Sequence, residues 1–241
     1  MIKINKKIKN IFFDLDGTLL PMDMKEFEST YTNMLCEEFS YLGKELVCKT
    51  LYSGIKEMYA NNGKVTNEEA FIRAFNRSGL NFYDYKEKFE EFYEKRFDSL
   101  KKVCKITPIS KRIIDTLKNK GYTICIATNP LFPQVATYKR LSWLGIDPNE
   151  VSLVTTYENS SYTKPNPNYY VEILNKLNLS SNETIMFGND VLEDGASSKV
   201  GIDTILVVDC LVNSLSLPYE NFQKGTLEDV LEFCLSLEKN N

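Results

Sequence analysis

Apolar residues fall along this chain in two rhythms. Five short, almost unbroken runs rich in β-branched and aromatic residues predict strands at NIFFD (10–14), YTICIAT (122–128), VSLVTT (151–156), TIMFG (184–188) and TILVVD (204–209). Continuous runs, unlike alternating ones, suit a parallel sheet covered on both faces. Elsewhere the apolar spacing lengthens to three and four residues. It predicts helices over 107–120, closed by Gly121, and over 131–144. Two more are predicted over 167–178, opened by Pro167, and over 226–237, with Thr226 as N-cap. Strand and helix alternate, which predicts an α/β fold with a doubly wound, Rossmann-like parallel sheet.

One interval breaks the alternation. Residues 24–104 hold no convincing strand and read as amphipathic helices punctuated by Asn61-Asn62-Gly63 and Ser78-Gly79. Within it Phe82, Tyr85, Phe89, Phe92, Tyr93 and Phe97 recur at mostly helical spacing, the pattern of a packed helix face. The first crossover of the sheet is therefore expanded. The predicted organisation is an α/β core of residues 1–21 and 105–241 with an inserted α-helical cap subdomain of residues 22–104.

Composition narrows the function. The 241 residues are 43% hydrophobic and 26% charged, enough for a substantial core in a soluble protein. A net charge of −4 gives no basic face for nucleic acid, and no apolar stretch is long enough to span a membrane. Asp14 and Asp16 interrupt the first apolar run, which argues against a signal peptide. Six cysteines without a C-x-x-C pair, several inside apolar runs, are expected to be reduced core residues of a cytoplasmic protein. Nothing in the sequence sets an oligomeric state.

The count that changes the picture most is histidine, of which there is none. That removes Ser-His-Asp and Cys-His catalysis and histidine-ligated zinc. Acid–base chemistry then falls to carboxylates, Lys, Tyr or Cys, and a catalytic metal is expected to be a hard, oxygen-bound cation, magnesium first.

Candidate chemistry gathers at the predicted strand ends. The first strand runs into Asp14-Leu15-Asp16-Gly17-Thr18, and the second into Thr128-Asn129. Lys164-Pro165 follows the third, and the fourth runs into Gly188-Asn189-Asp190-Val191-Leu192-Glu193-Asp194. In an open parallel sheet these ends meet at one edge, where ligands bind. Two carboxylates about 4 Å apart repel by about 4 kcal/mol at an effective dielectric near 20. Asp14, Asp16, Asp190 and Asp194 together therefore call for compensation by Lys164 and a divalent cation. Asp14, last in its strand, is the natural nucleophile toward a phosphoryl group, and Asp16 the acid and base. Thr128, Asn129 and Lys164 are placed to hold the phosphoryl oxygens.

These motifs, D-x-D-G-T-L, a strand-end threonine, a lysine before proline and an acidic loop, resemble those of the haloacid dehalogenase (HAD) superfamily, with the helical insert where the family places its first, C1-type cap. The resemblance spans residues 10 to about 209. It implies magnesium and an aspartyl-phosphate on Asp14, with the Asp16 backbone carbonyl on the metal. The expected activity is a magnesium-dependent phosphatase acting on a small phosphorylated metabolite. A phosphomutase resembling β-phosphoglucomutase and a catalytically idle binding module are the alternatives. Gly188-Asn189 stands where family members commonly have Gly-Asp. This leaves open which of Asn189, Asp190, Glu193 and Asp194 touch the metal.

Overall fold

The structure is a computed structural model and describes residues 2–240. Six parallel strands form one sheet in the order β3-β2-β1-β4-β5-β6. They are β1 (Asn10–Phe13), β2 (Thr123–Ile126), β3 (Leu153–Val154), β4 (Thr184–Gly188), β5 (Asp203–Val207) and β6 (Gln223–Gly225). The third is shorter than the 151–156 run predicts. Only Leu153 and Val154 pair with β2, and Thr155 and Thr156 already belong to the loop. The sixth strand is absent from the predicted set, because two of its three residues are exposed and polar and it is joined at the sheet edge by backbone bonds.

β1 is the central strand, paired with β2 and β4 and buried throughout. Its residues split between two cores. Ile11 and Phe13 pack in the larger one, with α5 (Pro108–Asn119) and α8 (Leu227–Ser236). Phe12 faces the other way, into a cluster with Cys125, Met186, Tyr169 and Tyr170, the tyrosines belonging to α7 (Pro167–Leu177). Burial on both faces explains why the strand reads as unbroken apolar sequence. Thr226 caps α8 and Pro167 occupies the first turn of α7 as predicted, while Thr107, expected within its helix, is the N-cap of α5.

Between β1 and β2 lie α1 (Met24–Glu38), α2 (Lys44–Tyr59), α3 (Asn67–Asn76) and α4 (Lys86–Lys95), with short 3₁₀ turns and no strand of the sheet. Phe75, Phe82 and Phe89 stack on one another here, so the aromatic stripe is helix packing. Gly54 lets α2 approach α3, since a Cβ there would stand 2.4 Å from the Phe71 ring. The ends of the insert meet where Lys105 N donates to Pro21 O at 2.7 Å and Met22 bridges Cys104. A second attachment lies at the start of α3. Asn67 N donates to Ser160 O and Glu68 N to Tyr157 O, both at 2.8 Å, while Asn67 Nδ2 reaches Pro130 O and Tyr162 O.

The cysteine expectation needs correcting. Cys36 on α1 and Cys48 on α2 form a disulfide, with Cα atoms 5.7 Å apart. The turn around Phe39–Gly43 folds α2 back on α1 and brings them together, which their separation in sequence does not disclose. Cys104, Cys125, Cys210 and Cys234 are free. Among the described residues, no helix is long and apolar enough to cross a membrane.

Candidate active site

The carboxyl ends of β1, β2 and β4 and the segment after β5 line one cavity of about 710 Å³, and the loop after β3 places Lys164 behind it against Asp14. After β1 the chain turns at once. Gly17 N donates to Leu20 O and Leu20 N to Leu15 O, both at 2.8 Å, around a Gly17 φ of +87°. A Cβ at Gly17 would lie 2.3 Å from Asn189 Nδ2, so only glycine fits both the conformation and the space. The turn puts Thr18 against Asn189 of the β4 loop.

Asp14 is held from both sides. Lys164 Nζ donates to its Oδ1 at 2.8 Å, and Thr18 Oγ1 to its Oδ2 at 3.2 Å. Thr18 Oγ1 also lies 3.1 Å from Asn189 Oδ1. Lys164 is wholly buried and bridges Asp14 to Asp194, whose Oδ1 is 2.6 Å away. Burial opposes its charge, but the two carboxylates outweigh that and hold its pKa well above the ordinary lysine value.

Asp16 has a partner that sequence reasoning missed. Arg140 of α6 (Gln134–Trp143) is fully buried and pairs through Nη1 with Asp16 Oδ2. It is fixed there by Nε to Ala136 O, by Nη2 to Thr137 Oγ1 and by stacking over the Phe132 ring. The signal available was a lone arginine within the predicted 131–144 helix, indistinguishable in sequence from a surface charge. Asp16 Oδ1 is buried and has no hydrogen-bond partner. Burial raises the pKa of this carboxyl against the pull of Arg140.

Asn129 ties three segments together. Its Oδ1 accepts from Lys164 N at 3.2 Å, and its Nδ2 donates to Glu193 Oε1 at 2.9 Å. Tyr59 of the insert approaches the same Glu193 oxygen at 3.5 Å. Burial pushes the Glu193 pKa up to about 8. Thr128 lines the cavity, with its carbonyl accepting from Tyr169 Oη and Thr155 Oγ1.

The β4 loop divides its acids. Asp190 Oδ1 caps the N–H groups of Leu192 and Glu193, both at 2.8 Å. Asp194 is buried. Its Oδ2 accepts from Asp190 N and its Oδ1 from Lys164. Burial raises its pKa while Lys164 opposes the rise. Asp190 and Asp194, both expected to face a metal, therefore have protein partners of their own. Among the described residues no group of three or more acidic or thiol side chains is arranged to hold an ion.

A hard cation nevertheless fits the donors that remain. The cavity is lined by Asp14, Asp16, Asp190, Glu193 and Asp194 from the sheet edge and by Asp23, Glu26 and Glu28 from the insert, against Lys25 and Lys105. Such an acidic cavity repels an anion unless a cation joins it. Asp14, Asp190 and the Asn189 side-chain oxygen offer the oxygen ligands that magnesium takes.

The fold is a doubly wound parallel sheet that carries a pair of aspartates at the carboxyl end of its central strand. The family model for haloacid dehalogenase-like hydrolases matches residues 11–207, and the chain belongs to that family. No curated protein matches it. The fold is shared with a HAD phosphatase from Thermococcus onnurineus, at 18% identity and a TM-score of 0.59 over 97% of this chain and 100% of that one. A predicted phosphoglycolate phosphatase from Haemophilus somnus 129pt gives 18% and 0.59 over 95% and 99%. The L-2-haloacid dehalogenase of Xanthobacter autotrophicus gives 12% and 0.56 over 95% and 99%. Family members generally use a divalent metal.

Proposed function

We propose that the protein is a magnesium-dependent phosphatase that hydrolyses a small phosphorylated metabolite through an aspartyl-phosphate, the helical insert acting as its cap. The observation that carries this reading is the division of labour between the two aspartates. Asp14 is paired with Lys164, while Asp16 keeps one buried oxygen, Oδ1, without a protein partner.

An Asp14 oxygen attacks phosphorus, and the bond from phosphorus to the ester oxygen breaks. The departing alkoxide takes a proton from Asp16 Oδ1. Water then attacks the same phosphorus and gives its proton to Asp16, freeing inorganic phosphate and restoring Asp14. Thr128, Asn129 and Lys164 hold the phosphoryl oxygens, and Lys164 stabilises the charge that develops on them. Asp14, the Asp16 carbonyl and Asp190 or Asn189 would hold magnesium, whose charge would offset the acidic lining toward a phosphate. Asp194 is assigned here to positioning Lys164. A dehalogenase has no alkoxide to protonate, so the retained Asp16 favours phosphoryl chemistry.

The test is release of inorganic phosphate from a generic aryl phosphate with magnesium present. Asp14→Asn is expected to lose at least about 10³-fold in kcat, because the nucleophile itself is gone. Undiminished turnover in that variant removes Asp14 from the role.

A further inference from the structure

A second cavity of about 350 Å³ lies inside the helical insert, lined by Leu51, Ile55, Met58, Phe71, Phe82 and Phe89 among others. It is not separate from the first. Glu28, Tyr59, Leu131 and Phe132 line both. Leu131 and Phe132 follow Thr128 and Asn129 with only Pro130 between, so the apolar wall begins within two residues of the proposed phosphate-binding pair.

We propose that this cavity receives the leaving group of the substrate, and that the leaving group is a compact apolar alcohol, aryl or branched alkyl. The assignment rests on the phosphatase reading and adds the class of ester it acts on. Three observations point the same way. Size is the first: at about 30 Å³ each, the cavity holds about a dozen water-sized groups, the scale of a bicyclic aromatic ring.

Charge is the second. No lysine or arginine lines the cavity, and its one carboxylate, Glu28, stands where the two cavities join. An acidic tail finds no counter-charge there. Polarity is the third. The buried Tyr93 hydroxyl is already paired with Tyr31 Oη at 2.7 Å, and much of the remaining wall is aliphatic or phenyl. A polyhydroxylated sugar placed here leaves several hydroxyls without partners, at a cost that apolar groups avoid. Apolar walls with a few polar groups at one end describe a site for an amphiphilic ester, phosphate outward and hydrocarbon inward.

The experiment compares steady-state hydrolysis of 1-naphthyl phosphate and glycerol 3-phosphate by the full chain with magnesium. The expected wild-type ratio of kcat/KM is at least about 30 in favour of the naphthyl ester. Ile55→Trp, which fills the cavity away from the aspartates, is expected to lower that ratio at least about tenfold. Circular dichroism and thermal melting check its fold, and Ile55→Phe serves if the larger ring prevents folding. In the wild type, 1-naphthol alone is expected to inhibit glycerol 3-phosphate hydrolysis competitively. A ratio near one, or no inhibition by naphthol, with phosphate still released, overturns the leaving-group assignment and leaves the phosphatase reading standing. No phosphate from either ester overturns both.

Discussion

Lys164 shows how much one side chain can be asked to do. It neutralises Asp14 at 2.8 Å and Asp194 at 2.6 Å, with no solvent to share the task. Replacing it with methionine leaves two carboxylates with an uncompensated buried charge, and such losses cost about 3–5 kcal/mol. Urea titration of Lys164→Met is expected to show a fall of that size beside a loss of turnover. The Gly17 turn is sensitive for another reason. Alanine there adopts a φ of +87° and meets Asn189, so Gly17→Ala is expected to lose about 1–3 kcal/mol of stability and to displace the β4 loop. Phosphate-release kinetics on the folded variant measure that displacement. At this scale the sequence displayed Asp14, Asp16, Thr128 and Lys164, because each follows an apolar strand or precedes a proline. It did not display Arg140, whose partner lies on a distant segment, nor that Asp194 spends its oxygens on Lys164 and a backbone amide.

Among the elements, α5 carries an electrostatic anchor. Lys111 and Lys118 both reach Glu150, at the end of the 3₁₀ turn before β3, and their hydrogen bonds hold its pKa down at about 2. A carboxylate whose pKa is lower folded than unfolded stabilises the fold above its unfolded pKa near 4.5. That contribution is lost as pH falls through the folded value. Wild type and Glu150→Gln are therefore expected to differ in urea midpoint at neutral pH and to converge between about pH 4.5 and 2. Salt should shrink the difference, because Glu150 is on the surface. The strongly patterned elements were legible in the sequence because periodicity reports burial. β1, β4, β5 and the helices α5, α7 and α8 all bury a continuous face. β3 and β6 were misjudged or missed, because short edge strands are held by backbone bonds that leave little trace in side chains. The disulfide between Cys36 and Cys48 was invisible for a related reason, since it depends on how two helices fold against each other.

For the whole molecule, the insert is fastened to the α/β core at several places, among them the Pro21–Lys105 neck, the Asn67 clasp and the bonds of Asp98 to Lys139 and Trp143. Asn67 is fully buried, and its side chain serves two carbonyls from the loops that carry Leu131 and Tyr162. Asn67→Ala strands those acceptors, and a loss of about 1–3 kcal/mol is expected by thermal or urea unfolding. The same variant is expected to raise KM for the aryl ester more than it lowers kcat, because both cavity walls depend on the clasp.

β1 sits at the centre of the sheet, yet its neighbours come from far along the chain, with Asn10 opposite Thr123 on one side and Thr184 on the other. On a ribosome, the strand that carries Asp14 emerges before both of its neighbours and cannot be flanked on both sides until β4 has been made as well. Closing such long loops is slow, and an unpartnered Ile11-Phe12-Phe13 is sticky while it waits. The helices of the insert, local in sequence, are complete long before. Assembly therefore runs from the periphery inward, and β1 is enclosed only after β4, made long after it, has joined the sheet.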